Sequence, residues 1–203
     1  MQFTPSPFTI LTSSCSAEHE VKKSVFVAIA EPLSSPDEVI ELLAAHRDPD
    51  ARHHCWAWRC NGEYRFSDDG EPAGTAGRPI LQAVEGAGLE RILVIVRRYF
   101  GGIKLGAGGL VRAYSAATTA CLTNAQTRQL TPHVQLHLQV PFSYTQALFN
   151  ALASNQSSDP LHTSQGISIT TWVAMSECDR LMDTLRNLTR GQIQAQRGAI
   201  ELR

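Results

Sequence analysis

An unbroken apolar run near the middle of the chain gives the strongest structural signal in the sequence. Residues 92–96 are all aliphatic and mostly β-branched, which is typical of a central strand buried on both faces. A glycine-rich segment, residues 101–109, follows closely. From Leu110 to Cys121, apolar and small residues recur at helical spacing. The pattern therefore predicts a strand, a glycine loop and a helix in succession.

The first 30 residues contain two stretches of strand-forming residues. Residues 8–14 and 24–30 are rich in apolar and β-branched positions, whereas the segment 15–23 between them is polar. We therefore predict an antiparallel pair of strands, joined by a connection over residues 15–23.

A helix and a strand are predicted next. Ser35 followed by proline and two acidic residues is a helix start signal, so we predict a helix from residue 36 to about 46. Residues 51–60 alternate two sets of side chains, as a strand does. His53 and His54 therefore point to opposite faces and cannot jointly hold a metal ion without a bulge. This favours a packing or hydrogen-bonding role for both histidines.

Residues 66–79 are dense in turn formers and carry the carboxylates Asp68, Asp69 and Glu71. Acidic loops of this kind bind divalent cations, act as acid/base groups, or form ion pairs with nearby arginines. The spacing does not match an EF-hand, which needs alternating oxygen ligands. Because acidic loops are more often held by ion pairs than they are catalytic or metal-binding, we favour a loop braced by ion pairs with nearby basic residues. A short helix with Pro79 in its first turn should follow.

The glycine loop matches neither standard nucleotide motif, because it lacks the Lys-Ser/Thr of a P-loop and the third glycine of a dinucleotide fingerprint. A strand–loop–helix junction nevertheless aims free N–H groups and the positive end of a helix dipole at one point, which suits a phosphate or carboxylate. The candidate anion-binding residues are Arg97, Arg98, Lys104, Gly106, Ala107, Gly108, Gly109 and Arg112. The alternative is that the glycines only permit a tight turn and close packing.

The second half of the chain predicts a separate domain. Residues 126–132 are polar and end in proline, so we place the boundary near Leu130 and expect domains over 1–130 and 131–203. We predict strands at 134–140, 161–163, 167–175 and 193–202, and helices at 144–153 and 178–188. Ser176 is the expected cap of the second helix and Gly191 its stop. The order βαββαβ is that of a ferredoxin-like sandwich.

Arginines on or shortly after the predicted second helix and on the last strand offer a phosphate-binding face, although a solvated helix face is the stronger interpretation. The residues are Arg180, Arg186, Arg190 and Arg197. Trp172 is nearly alone among aromatic residues on the strands, so the stacking pattern of an RNA-recognition motif is missing.

Composition narrows the class of protein. With 203 residues, 43% hydrophobic and 18% charged, the chain is long enough for two folded domains, and its formal net charge of -1 excludes a globally basic nucleic-acid binder. Five cysteines without CxxC spacing indicate reduced thiols in a cytoplasmic protein and no zinc site. Neither a signal peptide nor a membrane span is indicated. We expect no metal, no cofactor and no sequence-specific DNA motif.

Two segments together, residues 66–79 and 96–114, resemble the signature of the IMPACT family, in its bacterial YigZ-type form. The resemblance covers roughly residues 1–125, and the second half fits the bacterial two-domain form. It implies an α+β protein whose N-terminal domain has the ribosomal protein S5 domain 2-like fold and whose C-terminal domain is ferredoxin-like.

The resemblance also implies a function, as a non-enzymatic protein that binds nucleic acid or the ribosome in translation or its regulation. RNA, the ribosome or a protein of the translation machinery would be the partner. The alternative is an enzyme for a small phosphorylated or carboxylated metabolite, with the anion at the glycine loop and acid/base chemistry from Asp68, Asp69 or Glu71. The two hypotheses differ in whether the carboxylates and the glycine loop should face one pocket.

Overall fold

The computed structural model describes residues 6–153 and 155–203. The chain is a mixed α+β protein that forms two compact units. They are called here the N-terminal unit, Phe8–Gln129, and the C-terminal unit, Leu130–Arg203, with which residues 6–7 are grouped. Each unit has its own sheet, helices and buried apolar cluster. None of the described helices is long and apolar enough to cross a bilayer.

The N-terminal unit is built on a five-stranded antiparallel sheet in the order β2-β3-β6-β4-β5. Its elements in chain order are β1 (Phe8–Leu11), β2 (Cys15–Val21), β3 (Ser24–Pro32), α1 (Val39–Ala45), β4 (His53–Cys60), β5 (Glu63–Ser67), α2 (Gly77–Gly86), β6 (Ile92–Tyr99), α3 (Ala107–Thr123) and β7 (Thr127–Leu130). A 3₁₀ turn, Pro36–Glu38, precedes α1, and Ser35 accepts the N–H of Asp37 as predicted.

Strand β6 lies at the centre of this sheet, as its apolar sequence predicts. Ile92, Val94 and Val96 face the cluster formed with α2 and α3, whereas Leu93 and Ile95 face the cluster that includes α1. The strand continues past this apolar run to Tyr99, with the same alternation of faces. Two consecutive arginines at its end must therefore point to opposite faces of the sheet.

The predicted pairing of residues 8–14 with 24–30 is wrong. Cys15–Val21, predicted as a connection, is strand β2, and β3 pairs with β2 on one side and with β6 on the other. Strand β1 pairs instead with β7, which lies in the segment predicted to be a polar linker. Every second side chain of β2 is exposed and polar, since one face of the strand packs against the apolar cluster and the other faces solvent, and this polarity masked the strand in the sequence.

The C-terminal unit has a sheet in the order β10-β11-β8-β12, with the short strand β9 also paired to β11. Its elements are β8 (Pro132–Val140), α4 (Thr145–Leu152), β9 (Gln156–Ser157), β10 (Leu161–Thr163), β11 (Gly166–Ala174), α5 (Met175–Leu188) and β12 (Gln194–Leu202). The predicted order of strands and helices is confirmed, and the two-residue strand β9 was not predicted. Ser176 is not the cap of α5, because the helix already begins at Met175.

Candidate anion-binding cavity

One concave site in the N-terminal unit collects residues from the end of β6, the acidic turn before α2 and the start of α3. The cavity has a volume of about 410 Å³. Its polar lining comprises Arg52, His53, Glu71, Arg98 and Lys104, and Gly106 and Ala107 bring the first turn of α3 to its wall. Pro72, Phe100, Leu105 and Leu110 supply an apolar part of the lining. The acidic turn and the glycine loop thus share one pocket.

Arg98 and Glu71 form a buried ion pair in this lining. The pleat of β6 places Arg98 on the sheet face that α2 and α3 cover, and its Nη1 donates to Glu71 Oε1 over 2.6 Å. The two side chains are only 7% and 4% exposed. Arg98 Nε is buried and finds no hydrogen-bond partner among the described residues, and the same is true of Arg97 Nε. The guanidinium therefore retains donor capacity that the protein does not use.

Tyr114 of α3 bonds to the same carboxylate oxygen. Its hydroxyl donates to Glu71 Oε1 over 2.9 Å, and Cys55 Sγ lies 3.2 Å from that hydroxyl. Burial raises the pKa of Tyr114 far above its ordinary value, so the hydroxyl stays protonated and remains a donor. Burial also raises the pKa of the Cys55 thiol to about 12, so Cys55 is no thiolate nucleophile at neutral pH.

The two carboxylate oxygens of Glu71 differ in their hydrogen bonds. Oε1 accepts both hydrogen bonds, from Arg98 and from Tyr114, whereas Oε2 accepts none from residues 6–153 and 155–203. A carboxylate anchored through one oxygen has a fixed orientation and keeps the lone pairs of the other oxygen for a ligand or a proton. Glu71 is therefore a carboxylate of the cavity lining with one oxygen that no described residue engages.

Asp68 and Asp69 instead accept hydrogen bonds from backbone N–H groups. Asp68 accepts the N–H groups of Gly74, Ala76 and Gly77 at 2.8–3.0 Å, and thereby satisfies N–H groups at the start of α2. Asp69 Oδ2 accepts the N–H of His54 at 2.6 Å. Neither aspartate lines the cavity. The predicted bracing of the acidic loop by a cation holds for Glu71, while the two aspartates find backbone partners.

His53 is a residue of the site that the sequence did not identify as functional. Its Nδ1 lies 2.7 Å from the carbonyl oxygen of Asp69. Because a carbonyl only accepts, Nδ1 carries the proton and Nε2 is the ring atom turned towards Glu71 Oε1, at 4.0 Å. The partner is a backbone atom 16 residues further along the chain, which no sequence motif announces. His54 points to the other face, as predicted, where its Nε2 accepts the N–H of Asp48.

The start of α3 supplies backbone donors. Leu110 donates to the Gly106 carbonyl, so this is the first hydrogen bond of the helix ladder, and the N–H groups of Ala107, Gly108 and Gly109 precede it. Gly106 adopts φ +73° as the residue that caps the helix, a conformation that favours glycine. The 17 residues of α3 direct the positive end of their dipole to this turn.

The four predicted cations lie in three different places. Arg98 and Lys104 line the cavity. Arg97 lies on the opposite sheet face with its Nη1 3.5 Å from Asp48 Oδ2. Arg112 lines a separate groove of about 260 Å³, together with Lys22, at the outer side of α3. Gly109 also borders that groove, so the glycine loop divides two depressions.

Gly101 has a packing role that does not involve the cavity. A Cβ atom at this position would lie 2.0 Å from the carbonyl carbon of Lys23, in the turn between β2 and β3. The N–H of Gly101 also donates to Ser24 Oγ over 3.2 Å. The loop can therefore pass the β2–β3 turn only with glycine at this position.

Comparisons with known proteins identify the family of this chain. The model of the Impact N-terminal domain matches residues 22–122, a range that contains the whole lining of the cavity. A Thermus thermophilus protein, described as an IMPACT family member in the pol 5′ region, is 51% identical over 122 residues, which are 60% of this chain and 68% of that protein. The chain belongs to the IMPACT family.

Other members and a solved structure extend the likeness of this IMPACT family protein. The IMPACT family member YigZ of Escherichia coli is 40% identical over 131 residues, which cover 61% of this chain and 64% of YigZ. A crystal structure described as a hypothetical protein is 30% identical, covers 95% of this chain and 97% of its own, and superposes with a TM-score of 0.60. Within the described residues of this IMPACT protein, no three His, Cys, Asp or Glu side chains come together as a metal site.

Proposed function

We propose that the N-terminal unit binds a small phosphorylated or carboxylated molecule in the cavity between the acidic turn and the start of α3. The observation that carries the proposal is Arg98. Its guanidinium is only 7% exposed and lines the cavity with Arg52 and Lys104, so three cations of the lining face a single carboxylate, Glu71. An anion at the cavity would supply acceptors and charge next to it.

Further donors converge on the same place. Lys104 lines the cavity as a second cation, and Ala107 brings to the wall one of the N–H groups that precede the α3 ladder. Backbone N–H groups at a helix start and a lysine are a recurrent combination for phosphate and carboxylate groups. Glu71 is the one predicted carboxylate in the lining, so acid/base chemistry on such a ligand, if this is an enzyme, would fall to Glu71.

The shape of the site favours a small molecule over RNA. A cavity of about 410 Å³ falls in the usual range for small-molecule pockets, roughly 300–1,000 Å³. RNA phosphates, by contrast, need exposed cations, and of the two predicted cations in the cavity lining only Lys104 is exposed. Arg97 is paired with Asp48, and Arg98 is buried with Glu71.

RNA or ribosome binding in translation is the second candidate function. It is supported by exposed cations around the glycine loop, namely Lys22, Lys23, Lys104 and Arg112, of which Lys22 and Arg112 line the outer groove. Under this proposal the outer groove, rather than the cavity, would contact the phosphates.

Two variants separate these proposals. Lys104→Ala removes a cation from the cavity, and Arg112→Ala removes an equally exposed cation from the outer groove. We expect calorimetric titration with inorganic phosphate to show about three- to tenfold weaker binding for Lys104→Ala and less than a twofold change for Arg112→Ala. The reverse ranking, or no phosphate binding by the wild-type protein, would overturn the small-molecule proposal.

An RNA oligonucleotide titrated at several salt concentrations tests the second candidate. If the outer groove contacts RNA, Arg112→Ala should reduce the salt slope of the binding constant by about one unit, since one phosphate contact is lost. An unchanged slope in the double variant Lys22→Ala, Arg112→Ala removes the basis for the RNA proposal.

The finer description of the two folds belongs with these proposals. We propose that the N-terminal unit has the ribosomal protein S5 domain 2-like fold, which family membership supports. We propose a ferredoxin-like fold for the C-terminal unit, supported by its βαββαβ order and by the strand order β10-β11-β8-β12.

A further inference from the structure

We infer that His53 is a further ligand-binding residue of the cavity, and that it donates a hydrogen bond from Nε2 to the bound anion once the ring is protonated. Binding of a phosphate- or carboxylate-type ligand would then take up a proton. This inference rests on the proposed small-molecule function, and it adds a pH-dependent contact to that site.

The first step of the argument is the orientation of the ring. The Asp69 carbonyl fixes the proton of His53 on Nδ1 and thus selects Nε2 as the atom that gains or loses a proton. The side chain is 15% exposed, and the ring lines the cavity. A hydrogen bond to the backbone on one side and an open nitrogen on the other is the arrangement of a histidine that exchanges protons with a ligand.

The second step concerns the charges that face the ring. Glu71 Oε1 lies 4.0 Å from Nε2, but this oxygen already accepts from Arg98 and from Tyr114. Arg98, Arg52 and Lys104 are cations of the same lining. A doubly charged anion in the cavity would attract an imidazolium at His53 and offset the charge of these neighbouring cations.

The third step is the direction of the pH dependence. Imidazole side chains titrate between about pH 5 and 8. Since the protonated ring makes the additional contact, the affinity for the anion is highest at the acidic end of this range. It falls as the pH rises and His53 loses its proton. A ligand held by Arg98, Lys104 and the α3 backbone alone would show no such fall, because those donors keep their protons throughout the range.

Sulfate is the suitable probe, since it keeps two negative charges over this range whereas phosphate itself titrates near neutrality. Calorimetric titration of the wild-type protein with sulfate should show about tenfold weaker binding at about pH 8 than at about pH 5.5. His53→Gln keeps a side chain that donates hydrogen bonds at every pH, so its sulfate affinity should not vary with pH. His54→Gln is the matched control, because the neighbouring ring lies on the other sheet face and bonds to Asp48.

A measurement on the wild-type protein tests the inference even if the His53→Gln variant does not fold. Sulfate binding by the wild-type protein, measured near neutrality in buffers of different ionisation enthalpy, should take up a substantial fraction of one proton. Sulfate binding with no proton uptake and no pH dependence overturns the inference about His53 and leaves the proposed anion site intact. An equal pH dependence in His53→Gln also overturns it. Absence of sulfate binding at either pH overturns the proposed function, and the inference with it.

Discussion

The two units of this protein differ in where their paired charged side chains lie, buried in one and at the surface in the other. In the N-terminal unit Arg98 and Glu71 are buried as a pair beside a cavity. In the described part of the C-terminal unit the buried polar side chains are two threonines, Thr171 and Thr189. Its arginines pair at the surface instead, as Arg186 does with Asp183. Both units are compact α+β structures, so the architecture does not require the buried pair.

The difference in burial of the ion pairs indicates which unit contains a candidate functional site. Burying an ion pair costs desolvation that the attraction between the charges barely offsets, so such a pair is weak evidence for stability. Surface pairs such as Arg180–Glu177 and Arg197–Asp179 have solvated partners and impose no such cost. The buried pair of Arg98 and Glu71 lines a cavity, and a contribution to stability does not explain why it is there. The arginines of the C-terminal pairs lie on a solvated surface.

The sharpest test of this contrast removes one partner of the buried pair. Glu71→Ala leaves the Arg98 guanidinium buried without its carboxylate, and we expect a loss of about 3 to 5 kcal/mol in the free energy of unfolding of the N-terminal unit. Urea unfolding followed by tryptophan fluorescence in a Trp172→Phe background reports on this unit, because Trp56 and Trp58 both lie in β4.

A paired apolar replacement is the control for this variant. Glu71→Leu combined with Arg98→Met removes both charges and should recover most of the lost stability, since no uncompensated charge remains buried. A loss below about 1 kcal/mol in Glu71→Ala would contradict the view that the pair is tightly interdependent.

A smaller effect is expected when only the hydroxyl donor to the Glu71 carboxylate is removed. Tyr114→Phe keeps the ring and its edge-on contact with Phe26, whose centroid is 5.1 Å away, but removes the donor to Glu71 Oε1. We expect the free energy of unfolding to fall by about 1 to 2 kcal/mol in the same fluorescence assay. Tyr64→Phe, at an exposed position of β5, should cause no measurable change. Equal effects in the two variants would show that the Tyr114 hydroxyl is not held as described.

The smallest effect is expected in the C-terminal unit. Asp183→Ala removes a partner of Arg186 from a pair in which both side chains are more than half exposed. The expected change is about 0 to 0.5 kcal/mol, because solvent screens such pairs. Hydrogen exchange of the β8 amides measures the stability of this unit separately. A loss as large as that of Glu71→Ala would erase the contrast between the units.

Sequence reasoning succeeded where an element has a buried face with a regular period. The central strand β6, helix α3 and the order of elements in the C-terminal unit all follow from such patterns. It failed at the edge strands β2 and β5, whose exposed side chains are mostly polar or charged. Strand pairing at an edge is carried by backbone hydrogen bonds, which leave little trace in the choice of side chains.

For the site, the sequence indicated the two segments that meet but not the partners within them. Asp68 and Asp69 look like Glu71 in the sequence, yet backbone N–H groups capture the first two and leave the third in the cavity. The separation of Arg97 from Arg98 follows from strand alternation once β6 is known to continue to Tyr99.

The glycines of the central loop also bear on how sequence variation in this family should be interpreted. Every missense change at a glycine codon adds at least one carbon atom to the residue. At Gly101 that atom would collide with the Lys23 backbone, whereas at Gly102 and Gly106 it would meet open space, and the cost there comes from the backbone angles φ +85° and +73°. A mutational scan should therefore retain Gly101 for steric reasons even in a selection that ignores ligands. Retention of that glycine is no evidence for binding, and Lys104 is the informative position of the loop.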